Sequence, residues 1–305
     1  MANLEILTSG FKSFPGFIRL LNCTPVGKLF SDEFVIKNLY KFRMGRKLDL
    51  DNPKSFNEKL QWLKLNNRNP EYSKIVDKAT FKDYIAEKVG AEHTVPTLGV
   101  WEKFEDIDFS KLPDKFVLKC NHDSGGLVIC KDKSKLDIEA ARNKINKCLK
   151  RNYYYSSREW PYKNVKPCIL AEEYLDLPEG LVEYKIFSFN GQAKVIDVCM
   201  GIAHTMNRTN TFFTREWERI PMQQLLPNEK GDVEAPAELP KMLELADKLS
   251  EGIPQVRVDF YVYKGNIYIG EMTFFHNSGM HKINPYEWDL KLGEYIDLDL
   301  VKKSK

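Results

Sequence analysis

The chain has 305 residues, a length that allows about two domains, and its 43% of hydrophobic residues can fill a substantial core. The 46 basic residues nearly balance 43 acidic ones, which argues against a protein that binds nucleic acid through an excess of positive charge. The six cysteines form no C-x-x-C pair, and no apolar run is long enough to cross a bilayer. We therefore expect neither a zinc site nor a membrane span, and a reducing cytoplasm as the location.

Residues 1–70 are predicted to form a mainly helical N-terminal segment. The motif Ser55-Phe-Asn-Glu58 is a capping box, which favours a helix that begins there and ends in the polar stretch from Asn66. Residues 1–30 are apolar but are interrupted by prolines and a glycine. They could dock on the rest of the protein, on a partner or on a membrane surface, and the pattern does not separate these possibilities.

The next part, residues 71–115, is predicted to begin with a helix from about Ser73 to Val89. Apolar residues recur there at helical spacing, and Gly90 provides a stop signal. Lys78 lies near the start of this helix, where an isolated lysine is typical of an exposed surface.

Two strands joined by a polar loop are predicted between Phe116 and Cys130. Lys119 lies where the first strand leaves the apolar core. Backbone N–H groups in the loop from Asn121 to Gly126 can surround phosphate oxygens. The loop is neither a G-x-G-x-x-G motif nor a Walker loop, and an ordinary hairpin loop explains it as well.

Further elements follow in the second half. A buried strand is predicted to end in the acids Glu172 and Glu173, and a hairpin is predicted to turn at Asn190-Gly191, a dipeptide typical of two-residue turns. Residues 201–236 are expected to be irregular. Helical spacing of apolar residues predicts a helix over residues 239–251.

The most informative stretch is a pair of β-runs over residues 255–274. We predict a three-residue loop, Lys264 to Asn266, because such loops commonly use a left-handed glycine. This loop places Asp259 directly opposite Glu271, whereas a two-residue loop would place Glu271 opposite Phe260.

Two opposed acids are destabilising unless a cation lies between them. Mg²⁺ takes one or two carboxylates and otherwise prefers phosphate oxygens and water, so Asp259 and Glu271 could hold a metal–polyphosphate complex. Arg257 lies on the same strand face as Asp259. A solvent-facing acid pair neutralised by Arg257 or a lysine is the alternative.

The order of these features resembles the ATP-grasp fold, and several motifs resemble its TupA-like family, which is named for teichuronopeptide synthesis. The resemblance covers about residues 31–300. It implies an α+β fold in which two lobes clamp ATP, with residues 116–175 as the small lobe and residues 176–305 as the large lobe. The motifs that carry it are Met44-Gly-Arg-Lys-Leu48, Pro53-Lys-Ser-Phe-Asn-Glu-Lys-Leu-Gln-Trp-Leu63, Asp77-Lys78, Leu112 to His122, Ser124-Gly-Gly126 and Gly270-Glu-Met-Thr-Phe274.

By position, the resemblance assigns residues to each part of ATP. The phosphates would be contacted by two lysines and a covering loop: Lys78, Lys119, Ser124, Gly125 and Gly126. The adenine would be held by the end of the buried strand: Glu172, Glu173, Tyr174 and Leu175. Glu183 would bind the ribose. Lys185 is placed with the nucleotide-binding residues and would also suit an anionic substrate carboxylate.

The metal and the transferring phosphoryl group are assigned in the same way. Asp259, Glu271 and Thr273 would hold Mg²⁺, while Arg257 and Lys119 would stabilise the phosphoryl group. The common ATP-grasp metal motif is Glu-x-Asn, and this chain has Glu271-Met-Thr273 instead, which supplies a neutral hydroxyl of shorter reach.

The resemblance implies an ATP-dependent carboxylate–amine ligase that acts through an acyl phosphate. Its family suggests that an amino acid or amine is joined to a uronic acid during bacterial cell-surface polysaccharide synthesis. The partners would be a carboxylate-bearing small molecule or glycan, an amine donor and, at the periphery, the membrane or the polysaccharide machinery. Five residues are predicted to line the substrate site: His122, Asn277, Ser278, Gly279 and Met280.

Two other functions remain open from the sequence. A nucleotide-sugar glycosyltransferase of the same pathway would need a D-x-D metal motif, and matches occur at Asp49-Leu-Asp51, Asp106-Ile-Asp108 and Asp297-Leu-Asp299. A non-catalytic ATP-binding module would keep the fold without the chemistry, and the complete set of Lys78, Lys119, Asp259 and Glu271 argues against it.

Overall fold

The computed structural model describes residues 17–18, 21–22, 24–123, 125–178, 180–201 and 207–303. Its strands form two antiparallel sheets. The four-stranded sheet has the order β1-β4-β2-β3, and the six-stranded sheet has the order β10-β9-β5-β6-β7-β8. The strands are β1 (Thr97–Trp101), β2 (Phe116–Cys120), β3 (Leu127–Cys130), β4 (Ile169–Glu173), β5 (Glu183–Phe189), β6 (Gln192–Met200), β7 (Thr209–Thr214), β8 (Arg219–Ile220), β9 (Val256–Tyr263) and β10 (Asn266–Thr273).

The helices flank these sheets. They are α1 (Asp32–Met44), α2 (Phe56–Asn66), α3 (Glu71–Val76), α4 (Phe81–Lys88), α5 (Ile138–Leu149), α6 (Tyr154–Ser157), α7 (Leu239–Leu249), α8 (Tyr286–Glu294) and α9 (Asp299–Lys303). In the described part of the chain, none combines the length and the apolar character that crossing a membrane requires.

Each sheet has its own hydrophobic core. Apolar side chains of α2, α3, α4 and α7 pack with the six-stranded sheet in the larger core. The smaller core lies between the four-stranded sheet and α5, around Phe116, Leu118 and Ile145. Two cores under two sheets make two lobes, and the predicted α+β class is confirmed.

The capping box at the start of α2 is confirmed. The Ser55 hydroxyl accepts the N–H of Glu58, and the Glu58 carboxylate accepts the N–H of Ser55 at 3.1 Å. Two backbone donors that a helix start leaves unpaired are thereby satisfied.

The single helix predicted from Ser73 to Val89 is wrong, because the chain breaks between α3 and α4. Asp77 has an extended backbone, and its carboxylate accepts the N–H of Ala79 at 2.9 Å. A side chain that bonds the backbone two residues ahead favours a turn over a continuing helix. Lys78 therefore lies in a turn.

The hairpin of β9 and β10 has the predicted pairing of Asp259 with Glu271, but this pairing arises differently. Its loop has two residues, Lys264 and Gly265, with φ of 50° and 75°, and Tyr263 pairs with Asn266. The predicted three-residue loop is therefore wrong. The register then shifts between Ile269 and Glu271, where Gly270 forms a bulge that restores Glu271 opposite Asp259.

The neighbouring hairpin turns at Asn190-Gly191 as predicted, with φ of 46° and 80°. The region expected to be irregular contains β7, whose Thr-Asn-Thr-Phe-Phe-Thr sequence is rich in β-branched and aromatic residues. Its pairing with β6 extends the six-stranded sheet.

Candidate active site

A cleft of about 420 Å³ lies between the two lobes, and charged side chains from both line it. Lys119 on β2 and Lys78 in the turn between α3 and α4 contribute from one side. Strands β5, β9 and β10 contribute from the other side: Glu183, Lys185, Asp259 and Glu271. These six residues were predicted to act together, and the fold brings them around one cavity.

Four charged residues form a row across neighbouring strands. Glu271 lies opposite Asp259, Asp259 opposite Lys185, and Lys185 opposite Asp197. The Lys185 ammonium lies 3.0 Å from Oδ2 of Asp259 and 3.1 Å from Oε2 of Glu183. One lysine is thus shared among acids on its own strand and on its neighbour.

Arg257 lies at the centre of the predicted metal site. Its Nη2 atom is 2.6 Å from Oδ2 of Asp259, 3.0 Å from Oε1 of Glu271 and 3.1 Å from Oγ1 of Thr273. Oxygens from three side chains on two strands therefore converge on one cationic nitrogen.

The three oxygens are of the kind that a small, hard cation prefers. In the described residues, His, Cys, Asp and Glu side chains form no metal-binding group of three or more. A cation held here would draw on the carboxylates of Asp259 and Glu271 and the hydroxyl of Thr273. That donor set suits Mg²⁺, which completes its shell with phosphate oxygens and water. Arg257 would have to turn its Nη2 atom aside.

The charges of the site hold one another in their ionised forms. Burial alone would raise the pKa of Asp259, but Arg257 and Lys185 outweigh burial and keep this pKa below its usual value. Burial alone would lower the pKa of Arg257, but Asp259 outweighs burial and raises this pKa above its usual value. Asp259 is therefore a carboxylate throughout the neutral range.

Glu172, predicted to contact adenine, is buried at the end of β4 and is ion-paired there. Its two oxygens pair with the ammonium groups of Lys82, at 2.8 Å, and of Lys119. Burial alone would raise the pKa of Glu172, but the two lysines outweigh burial and bring this pKa below its usual value. Of the residues after it, Glu173 already donates its N–H to the carbonyl of Pro96 at 3.1 Å. Tyr174 and Leu175 lie in the connection from β4 to β5.

In the loop between β2 and β3, a carboxylate of the protein already binds the backbone N–H groups that were predicted to bind phosphate. The Asp123 carboxylate accepts the N–H groups of Gly125 and of Gly126, the latter at 3.0 Å. Lys78 donates to the Asp123 carbonyl at 2.9 Å, and burial lowers the pKa of Lys78. Phosphate binding by these glycines therefore requires Asp123 to move. Ser124, the remaining predicted member, lies outside the described residues.

The residues predicted to line the substrate site separate into two groups. Asn277 faces a second cavity, and its Nδ2 atom lies 3.2 Å from Oε1 of Gln224. Ser278 instead donates to Oε1 of Glu159 at 2.7 Å. Met280 is buried beside α1, and a Cβ at Gly279 would lie 2.9 Å from the Cβ of Leu60. In this structure Ser278, Gly279 and Met280 therefore contact the rest of the protein, and their place in a substrate site stays a prediction.

His122 is also unsuited to substrate binding. Its side chain is buried, and its ring nitrogens lie 3.0 Å from Oδ1 of Asn121 and 3.0 Å from the carbonyl oxygen of Arg151. Because protein groups occupy both nitrogens, the contacts favour a structural role.

The second cavity, of about 520 Å³, adjoins the first and shares Lys185 with it. His276 on its wall has Nδ1 2.6 Å from Nη1 of Arg257, and Nε2 2.6 Å from Oε1 of Gln224. A guanidinium only donates, so Nδ1 accepts and Nε2 carries the proton. Burial and then Arg257 lower the pKa of His276 well below its usual value, so the ring is neutral.

The family model of the TupA-like ATPgrasp proteins matches residues 58–297 of the chain. This chain belongs to the TupA-like ATP-grasp family. The match includes both lobes and every charged residue of the cleft. The resemblance that the motifs indicated is thereby confirmed.

Solved structures of ligases are similar to this TupA-like protein. D-alanine–D-alanine ligase from Bacillus anthracis complexed with ATP has 20% identity, with 76% of this chain and 68% of that chain covered and a TM-score of 0.43. The same ligase from Helicobacter pylori has 13% identity, 73% and 61% coverage and a TM-score of 0.42. L-amino acid ligase from Bacillus licheniformis has 16% identity, 73% and 49% coverage and a TM-score of 0.44. No curated protein matches the chain.

Several residues of the TupA-like site were not predicted from the sequence. Lys82 forms an ion pair with Glu172, which lies on β4 between β1 and β2. The order of the strands in the sheet depends on contacts that are distant in the chain. His276 and Gln224 are far apart in the chain and meet only in the fold. Asp197 did carry a signal, because it is an acid within the apolar run Val195 to Cys199.

Proposed function

We propose that this protein is an ATP-dependent carboxylate–amine ligase that uses Mg²⁺ and forms an amide through an acyl phosphate. The observation that supports it best is the convergence of Asp259, Glu271 and Thr273 on one cationic nitrogen of Arg257. Lys119 faces the same cleft from the four-stranded sheet, and Lys78 faces it from the turn between α3 and α4. Phosphoryl transfer needs positioning and charge stabilisation more than covalent chemistry, and this arrangement supplies both.

In the first step, a carboxylate oxygen of the acid substrate attacks the γ-phosphorus of ATP. The bond to the β,γ-bridging oxygen breaks, which yields ADP and the acyl phosphate. Lys78, Lys119, Lys185 and Arg257 offset the negative charge of the phosphates. Mg²⁺, when bound by the carboxylates of the hairpin, neutralises further phosphate charge.

In the second step, the nitrogen of an amine attacks the acyl carbon. The carbon–oxygen bond to phosphate breaks, the nitrogen loses a proton, and the products are an amide and inorganic phosphate. Arg257 remains beside the phosphate as it leaves. No side-chain nucleophile of the protein is needed.

We propose further that the acid is a uronic acid and that the reaction belongs to bacterial cell-surface polysaccharide synthesis. This part depends on the family's connection with teichuronopeptide. The second cavity has room for an amino acid or a single sugar. The side chains of Arg257 and Lys185 line it and would suit a carboxylate.

The D-x-D matches give little support to a glycosyltransferase. Asp49 accepts the N–H groups of Asp51 and Asn52, at 3.0 and 2.9 Å. Asp108 accepts the N–H of Ser110, and Asp297 accepts that of Asp299. Each motif therefore uses a carboxylate to hold its own turn, as aspartates commonly do.

The test is ADP release in the presence of Mg-ATP, uronic acids such as D-glucuronate and D-galacturonate, and an amine. Hydroxylamine in place of the amine traps an acyl phosphate as a stable hydroxamate. We expect ADP release and hydroxamate that both depend on the acid. Turnover of a sugar nucleotide without consumption of ATP would contradict the proposal.

A further inference from the structure

The second cavity contains two buried side chains, Asp197 and Asn210, whose oxygens are poorly satisfied by hydrogen bonds. Asp197 on β6 is 3% exposed, and Asn210 on the adjacent strand β7 is 6% exposed. Both side chains line the cavity. They lie on the same face of the sheet, because Asn210 is opposite Cys199, which is two residues after Asp197.

The carboxylate of Asp197 has a weak hydrogen bond and no ion pair. Its Oδ1 accepts from the Cys199 thiol at 3.6 Å. Within the described ranges it forms no ion pair, and the charges of Lys185 and Arg257 act on it from more than 4.0 Å away. A buried carboxylate without a cation is costly unless a ligand compensates it.

The nearest cations of the cavity are committed elsewhere. Lys185 pairs with Asp259 and Glu183, and Arg208 pairs with Glu183 at 2.9 Å. Arg257 binds Asp259 through two nitrogens. None of these three cations is therefore available to pair with Asp197, and a cationic ligand that enters the cavity can bind its carboxylate.

Asn210 points to the same kind of ligand. Its Oδ1 atom is buried and, within the part of the chain that the structure covers, finds no hydrogen-bond donor. A carboxylate and an amide oxygen at diagonal positions on one face of neighbouring strands can be satisfied together by a group that carries several N–H donors and a positive charge. A primary ammonium carries three such donors and no acceptor.

We propose that Asp197 and Asn210 form the subsite that binds the ammonium group of the amine substrate. This inference rests on the proposed ligase function. Asp197 lies two strands from Asp259 in the charged row, and neighbouring strands are about 4.8 Å apart. The ammonium would thus lie beside Lys185, next to the place where the acyl phosphate forms. It would give up one proton to solvent before its nitrogen attacks the acyl carbon.

The first test separates the amine site from the phosphoryl chemistry. Asp197→Asn keeps the shape and removes the charge, and Asp83→Asn on the exposed face of α4 is the control with the same change of charge. With an acid that wild type accepts, and glycine, L-lysine or ethanolamine as the amine, we expect Asp197→Asn to raise the KM for the amine at least about tenfold. Hydroxamate formation and the KM for ATP should stay within about twofold, because hydroxylamine is uncharged at neutral pH and needs no ammonium site.

An unchanged KM for the amine, or an equal rise in the KM for ATP, would overturn the subsite. Absence of hydroxamate from wild type would instead contradict the ligase function itself. In that event the subsite is tested without ATP, by titrating ethanolammonium and following the Asn210 side-chain amide by NMR. A saturable shift in wild type that Asp197→Asn abolishes supports the ammonium site, and no saturable shift overturns it.

Discussion

The carboxylates of Asp259 and Glu271 share one hydrogen-bond donor, Nη2 of Arg257, at 2.6 and 3.0 Å. They differ in exposure, because the side chain of Asp259 is 10% exposed and that of Glu271 is 49% exposed. Asp259 is therefore tied into the fold, whereas Glu271 can change its partner at little cost in stability. This difference makes Glu271 the better position at which to test metal binding.

We expect Glu271→Gln to reduce ATP turnover about 100-fold or more while the protein stays folded, because it removes one of the two carboxylates proposed to bind Mg²⁺. The measurement is phosphate release as a function of Mg²⁺ concentration, together with thermal unfolding. Glu218→Gln, at an exposed position in the turn between β7 and β8, is the control. Unchanged turnover would remove Glu271 from the metal site.

Arg257→Lys should lower kcat about 100-fold, because one ammonium cannot reproduce the contacts that the guanidinium makes with Asp259, Glu271, Thr273 and His276. Steady-state kinetics at saturating ATP would measure it. Arg215→Lys is a matched control, since Arg215 binds Asp247 through two nitrogens outside both cavities. Equal losses of activity in the two variants would argue against a specific role for Arg257.

Gly126→Ala should destabilise the protein by about 1–3 kcal/mol through overpacking. A Cβ there would lie 2.5 Å from Sγ and 2.8 Å from Cβ of Cys120, which is buried. Urea unfolding would measure the effect. Gly231→Ala, where no atom lies within 4 Å of the added Cβ, should change stability by no more than about 0.5 kcal/mol. Similar stabilities for both variants would show that Gly126 is not required for packing.

The buried carboxyl group of Asp197 should give the free energy of unfolding an unusual dependence on pH. Burial raises its pKa from 3.8 to about 6, against the opposing effect of Lys185. A raised pKa in the folded state means that the contribution to stability is complete below about pH 4 and is lost as the pH rises through 6. Relative to Asp197→Asn, wild type should therefore lose about 3 kcal/mol between pH 4 and pH 7.5.

Urea unfolding of the two proteins across that range measures this difference directly. The contribution of Asp259, whose pKa is depressed, has the opposite sign but is present in both proteins and largely cancels. A stability difference that stays constant with pH would show that the Asp197 pKa is not raised.

The candidate site was partly predictable because its members lie on strands and turns with local signals. The alternating pattern around Asp259 and the Asn190-Gly191 turn define strands without knowledge of the rest of the fold. Ion pairs such as Lys82 with Glu172 depend on which strands become neighbours, and no local pattern contains that information. The three left-handed residues Asn277, Ser278 and Gly279 turn the segment after the metal hairpin inward, which the sequence pattern did not reveal.

The bulge at Gly270 separates the length of the hairpin loop from the orientation of the metal site. If the pairing of Tyr263 with Asn266 continued along the strand without the bulge, Glu271 would lie opposite Val258, so that Met272 would face the cleft and Glu271 and Thr273 would face the core. Deletion of Gly270 itself would instead leave Ile269 opposite Phe260 and Glu271 opposite Asp259 in an unbroken ladder, with both oxygen ligands still in the cleft. The cation site can therefore be kept with the bulge or without it, provided that the residue lost is the one between Ile269 and Glu271.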